Sequence, residues 1–117
     1  MDSVTIKLYR GTIVEESLED TTVLKHFSIL GETKPRDQND WHLYIVEGDY
    51  GALIELSKVL KSAKWYAHFW LENEMIVVFK NKLFFQEVAN ESTWKEAIAY
   101  GLSIGIPREQ LNFLLEE

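Results

Sequence analysis

Cysteine is absent from the 117 residues, and with it go disulfide scaffolds, thiolate zinc sites, iron–sulfur clusters and cysteine nucleophiles. A basic surplus is absent too. Twelve Lys and Arg stand against nineteen Asp and Glu, a formal net charge of −7, the wrong sign for a protein that binds by neutralising backbone phosphates. Nowhere do about 18 consecutive apolar residues occur, so no transmembrane helix and no membrane partner is expected. The opening MDSVTIKLYR lacks the basic start, apolar stretch and small-residue cleavage site of a signal peptide, and Leu114-Leu115-Glu116-Glu117 carries no lipidation motif. A cytoplasmic location is the resulting expectation. Neither a Walker loop nor Gly-x-Gly-x-x-Gly is present, so a phosphate cradle has no support and no cofactor is implied. No internal repeat, low-complexity tract or linker interrupts the chain.

What remains has the composition of a folded domain. Apolar residues make up 46% and charged residues 26%, which excludes disorder, and the length suits one domain over residues 1–117 with one hydrophobic core.

Alternation over residues 4–13 (VTIKLYRGTI) predicts a half-buried strand, with Val4, Ile6 and Leu8 on one face and Thr5, Lys7 and Tyr9 on the other. Gly11 within it marks a bulge or a close backbone approach. EESLED, residues 15–20, predicts a short helix capped by Ser17. Residues 27–34 read as a strand, Pro35 to Asp40 as a polar turn, and WHLYIVE (41–47) as an aromatic and β-branched strand. Asp49 caps a helix whose apolar stripe is Leu53, Leu56 and Leu60. Three closely spaced strands follow, 64–71, 75–80 and 82–88, joined by hairpin-length polar breaks. A helix over 93–104 opens on a Thr93–Glu96 capping box and ends at Gly105, with Trp94, Ile98 and Leu102 as its apolar stripe and Ala97 and Gly101 as close-packing small positions beside it. Pro107 starts a last short helix. Strands joined by hairpins predict an α+β fold: a largely antiparallel sheet of five to six strands, two or three helices packed on one face, and a ferredoxin-like arrangement as one topology.

Through WHLY, KWYAHFW and TWKEAIAYGLSIGIPREQL the chain resembles a group of small, uncharacterised single-domain proteins of bacteria and archaea. The resemblance implies no activity, cofactor or catalytic residue.

The unusual feature is aromatic density: four Trp, five Tyr and six Phe. Alternation puts Trp41, Leu43 and Ile45 on one face of their strand, and Trp65, Ala67, Phe69 and Leu71 on one face of theirs, as the natural core sets. The opposite sets are His42, Tyr44 and Val46, and Tyr66, His68 and Trp70, whose polar-tipped rings are His42, Tyr44, Tyr66, His68 and Trp70. If those strands lie in matching register, the five rings form one partly exposed platform for a planar ligand or a peptide. The bland alternative is a solvated or helix-covered sheet face. His42 and His68 lack a third ligand, so no metal site is expected, and His26 stands alone. Gly101-Leu102-Ser103-Ile104-Gly105 matches the nucleophile-elbow pattern by letter but falls at the end of a helix, where the pattern has no chemistry.

Three functions follow. The leading one is a small soluble binding or protein-interaction module using the aromatic platform. A second is an acidic protein of inhibitor or immunity type that docks a basic partner. The third is a small enzyme using His42 or His68 as general acid–base with Glu72 or Glu74.

Overall fold

The computed structural model describes residues 6–33, 41–62, 65–111 and 113. Six strands form one sheet: β1 (Tyr9–Val14), β2 (Ser28–Thr33), β3 (Leu43–Gly48), β4 (Ala67–Leu71), β5 (Glu74–Phe79) and β6 (Lys82–Glu87). Their spatial order is β2-β3-β1-β4-β5-β6, and every neighbouring pair is antiparallel. The fold is α+β. β3 and β4, each antiparallel to the β1 between them, run parallel to each other and are joined by α1 (Tyr50–Val59), one split β-α-β unit; a ferredoxin-like sheet has two, and here β4, β5 and β6 form a meander instead. The expected turn at 35–40 and residues 4, 5, 34, 64, 112 and 114 of predicted elements lie outside the described residues.

The decisive placement is that of β1. It lies between β3 and β4, pairing Gly11 with Val46 on one side and with Phe69 on the other. Glycine is required there, because an added Cβ would fall 2.5 Å from Phe69 Cδ2 and 2.6 Å from the His68 carbonyl oxygen. The close approach expected of Gly11 is therefore real.

Each face of the sheet carries a core, which corrects the expectation of helices on one face only. On the first face Tyr9, Ile13, Val46, Phe69, Ile76 and Val78 pack with Leu53 and Leu56 of α1 and with Leu60, which follows it. Asp49 caps α1, its carboxylate accepting the Ala52 N–H at 2.9 Å. On the second face Met75, Val77 and Phe79 pack against α2 (Lys95–Ser103) and the C-terminal residues Ile106, Leu111 and Phe113. Both faces of β5 are thus buried from Met75 to Phe79, as a central strand between two layers must be.

Several local expectations change. Tyr9, Gly11 and Ile13 are the buried residues of β1, while Ile6 and Leu8 are exposed. EESLED becomes a short 3₁₀ turn, Glu15–Ser17, in which the Ser17 hydroxyl donates back to the Val14 carbonyl rather than capping. Thr93 does not cap α2. Asn90 caps a 3₁₀ turn ahead of it, Glu91–Trp94, and the Thr93 hydroxyl bonds Glu87 and Asn90 instead. Trp94 and Ile98 pack half-buried against the α2-face core beside the buried Ala97 and Gly101, as expected, but Leu102 is exposed, and the Leu111 side chain occupies the space above Gly101. Gly105 ends the helix at φ 94°, as expected.

Candidate functional site

With β1 between them, β3 and β4 do not share the predicted platform. In an antiparallel ladder, directly opposed residues point to the same face. Tyr44 opposes Ile13 and so belongs to the α1 face. His68 opposes Val77 and Trp70 opposes Met75, on the α2 face. The five rings therefore divide: His42 and Tyr44 gather at one site, and Tyr66, His68 and Trp70 at another.

The second group is half-buried structure. Tyr66 packs against Phe79 and Phe113 at 5.7 and 5.5 Å, and its hydroxyl donates to the Gln110 carbonyl. Burial pushes its phenol up. His68 lies between Tyr66 and Trp70, with centroids at 6.4 and 6.2 Å, and touches Phe113. These rings seat the C-terminal segment on the sheet. Trp70 alone reaches an open hollow, beside Arg10, Glu47 and Glu72.

The first group lies at the end of β1 and acquires partners that the sequence did not offer. As the chain leaves β1, the Glu15 N–H donates to the His42 carbonyl at 2.8 Å. Glu16 then receives two bonds from His42, from its backbone N–H at 2.8 Å and from its ring Nδ1 at 3.0 Å. Tyr44 donates its hydroxyl to Glu15 at 2.6 Å. Glu32 stands opposite Tyr44 on β2 and adds a third carboxylate.

The electrostatics follow from these contacts. The hydrogen bond to Glu16 raises the His42 imidazole above its ordinary value, with Glu15 and Glu32 acting the same way. The reciprocal bond lowers Glu16. Tyr44 is pushed up to about 12, first by the Glu15 carboxylate it bonds and then by desolvation. Among the described residues no Lys or Arg pairs with Glu15, Glu16 or Glu32, and the cationic partner of Glu16 is the His42 imidazole.

Beside this cluster stand two indoles. Trp41 precedes His42, and its ring lies 5.2 Å from that of Trp65, tilted by 60°. Trp41 remains 45% exposed, so it is not the core residue that alternation suggested. Val46 and Gly48 are buried on β3 instead.

The acid–base pairs expected with Glu72 or Glu74 do not form. Glu74 is held by Lys7 at 3.0 Å and by the Tyr9 hydroxyl at 3.1 Å, at the opposite end of β1 from His42. The Ser103 hydroxyl donates to the Tyr100 carbonyl at 2.6 Å, a local helix bond. Among the described residues no three His, Asp or Glu side chains are grouped to hold a metal ion, and no helix is long and apolar enough to cross a membrane.

No family model, curated protein or solved structure matches this chain.

Proposed function

We propose that the chain is a small protein-binding module whose contact surface is the Trp41–Trp65 pair with its fringe of carboxylates, and whose partner presents an Arg- or Lys-bearing segment. The observation that carries this is a half-exposed indole packed on a second indole, in the residue that precedes His42, whose backbone N–H and ring bind the Glu16 carboxylate. A guanidinium or ammonium is attracted to an indole face, and carboxylates at its edge add charge-assisted hydrogen bonds. Trp and Arg are also the residues that most often anchor interfaces. The reading joins the aromatic and the acidic expectations at one place. It keeps His42 and Tyr44 as positioning residues: their bonds hold Glu16 and Glu15 beside the indoles. We take the setting to be cytoplasmic, in keeping with a chain free of cysteine.

The test uses the four indole N–H signals in a two-dimensional NMR spectrum and an Arg-Gly-Arg tripeptide amide as probe. The signals of Trp41 and Trp65 should shift, and those of Trp70 and Trp94 should not. Raising ionic strength should weaken the titration, and Glu15→Gln with Glu16→Gln should weaken it further. Equal shifts of all four indoles, or equal shifts from a Glu-Gly-Glu probe, would sink the proposal.

A further inference from the structure

We infer that β6 is a dimerisation edge, and that two copies of this chain join β6 to β6, antiparallel, about a two-fold axis at Phe84. The observation is independent of the Trp41–Trp65 surface.

The backbone groups of β6 point alternately toward β5 and away from it. The Val88 N–H turns inward, to the Asn73 carbonyl at 2.8 Å, so Glu87 turns outward. Its outward groups are closed: the N–H donates to Thr93 Oγ1 at 2.9 Å, and the carbonyl accepts from Trp94 Nε1 at 2.7 Å. At the other end the Asn81 N–H donates to the Ser57 carbonyl at 2.9 Å. Between these stops lie Leu83 and Phe85, whose outward N–H and carbonyl groups meet no partner among the described residues. The opposite edge, β2, is interrupted by a register shift between Ile29 and Gly31, the kind of bulge that spoils an edge for pairing. β6 has no such irregularity.

This window is complementary to itself. A two-fold axis perpendicular to the sheet joins like faces, so opposed residues must both be odd or both be even in number. The register centred on Phe84 sets Leu83 against Phe85 of the second copy and Phe85 against its Leu83. An opposed pair of this type exchanges both of its bonds, so every open group on both copies is used. Centring on Phe85 instead would set Leu83 against Glu87, whose groups are already bound.

The side chains suit the same register. Phe85 is 63% exposed and rests on Tyr50 at 5.7 Å, itself 44% exposed. Across the axis Phe85 meets the second copy's Leu83, an apolar cross-strand pair, with Tyr50 as its flank. On the α2 face Phe84 meets its own counterpart, beside a groove of about 470 Å³ that Thr93, Lys95 and Ala97 help to line. Lys82 faces Gln86, and Glu87 faces Asn81, so no like charges oppose each other.

Sedimentation velocity from low micromolar to millimolar concentration tests the inference on the wild type, Phe85→Lys and Phe85→Pro. The proline removes one outward N–H and leaves the bonds to β5 intact; should it fail to fold, the lysine variant carries the test. The wild type should dimerise reversibly, and both variants, folded by circular dichroism, should do so at least about tenfold more weakly. A wild type monomeric throughout, even one that adds an extended peptide at this edge, overturns the proposal. So does a Phe85→Lys dimer as tight as the wild type.

Discussion

Replacing Gly11 by alanine tests the placement on which the site depends. Gly11 is buried at the middle of β1, facing the α1 core between Val46 and Phe69. The new Cβ would stand 2.5 Å from a Phe69 ring carbon and 2.6 Å from the His68 carbonyl oxygen. Neither obstruction yields easily. Phe69 is fully buried and stacked on Phe27 at 5.9 Å, and the carbonyl belongs to the paired strand. Overfilling a packed core costs about 1–3 kcal/mol. With backbone as one of the two obstacles, a loss of about 3 kcal/mol is expected, a large part of the roughly 5–15 kcal/mol that stabilises a domain. The melting temperature should fall by more than about 10 °C. Urea unfolding followed by tryptophan fluorescence reads the loss as a lower midpoint at unchanged slope. Gly51→Ala is the control: it is exposed in the first turn of α1, its Cβ would meet only Asp49 Oδ1 at 3.5 Å, and it should gain up to about 1 kcal/mol. A Gly11→Ala protein that loses under about 1 kcal/mol would refute the insertion of β1 between β3 and β4 at this register.

Three further outcomes are expected. His42 should titrate by NMR above its ordinary value near 6.5 and return toward it in Glu16→Gln; a wild-type His42 at or below that value refutes the pair. Because folding raises His42, its contribution to stability is complete below its unfolded value and is lost as pH rises through its folded one. Glu16 is lowered, so its contribution is present above its unfolded value and is lost as pH falls through its folded one, leaving the pair strongest between the two. Gly105→Ala should cost about 1–2 kcal/mol in chemical denaturation, since φ of 94° disfavours a Cβ, and a neutral result would refute the left-handed helix end. Trp94→Phe should cost about 1 kcal/mol by the same measurement, for the lost bond to the Glu87 carbonyl; a loss matching Trp94→Ala would show that packing of the ring against Phe113 adds nothing.

The elements were legible where periodicity and capping agree. The Leu53–Leu56–Leu60 stripe and the Asp49 cap locate α1, and the two polar breaks locate the β4–β5–β6 meander, because both signals are local. What alternation does not reveal is which face wins. Trp41, Leu43 and Ile45 outweigh Tyr44 and Val46 in apolar bulk, yet Val46 is buried and Ile45 is exposed. Burial was decided by α1, which covers one face of β3, while the α2 layer covers only the other end of the sheet. Similarly, Ala97 and Gly101 are legible as close-packing positions, but the exposure of Leu102 is not, because Leu111 arrives from a later segment to fill the space above Gly101.

The site was legible only in its parts, and the reason is topological. Strands adjacent in sequence often pair, so a chain with aromatic strands at 41–47 and 64–71 invites a single platform. Here the first strand returns to the middle of the sheet, and Gly11 is the one local sign of it. The same insertion that separates His42 from His68 delivers Glu15 and Glu16 to His42 and Tyr44, because the chain leaving β1 must emerge beside the start of β3. The acidic stretch at 15–20 was visible as charge, and His42 and Tyr44 were visible as candidates. Their meeting follows from the antiparallel pairing of β1 with β3, in which the last residue of one strand lies opposite the first residue of the other, Val14 against Leu43. β1 runs antiparallel to β4 as well, so the starts of β3 and β4 come to the same end of the sheet. That is why Trp41 and Trp65, each two residues ahead of its strand, touch across the end of β1.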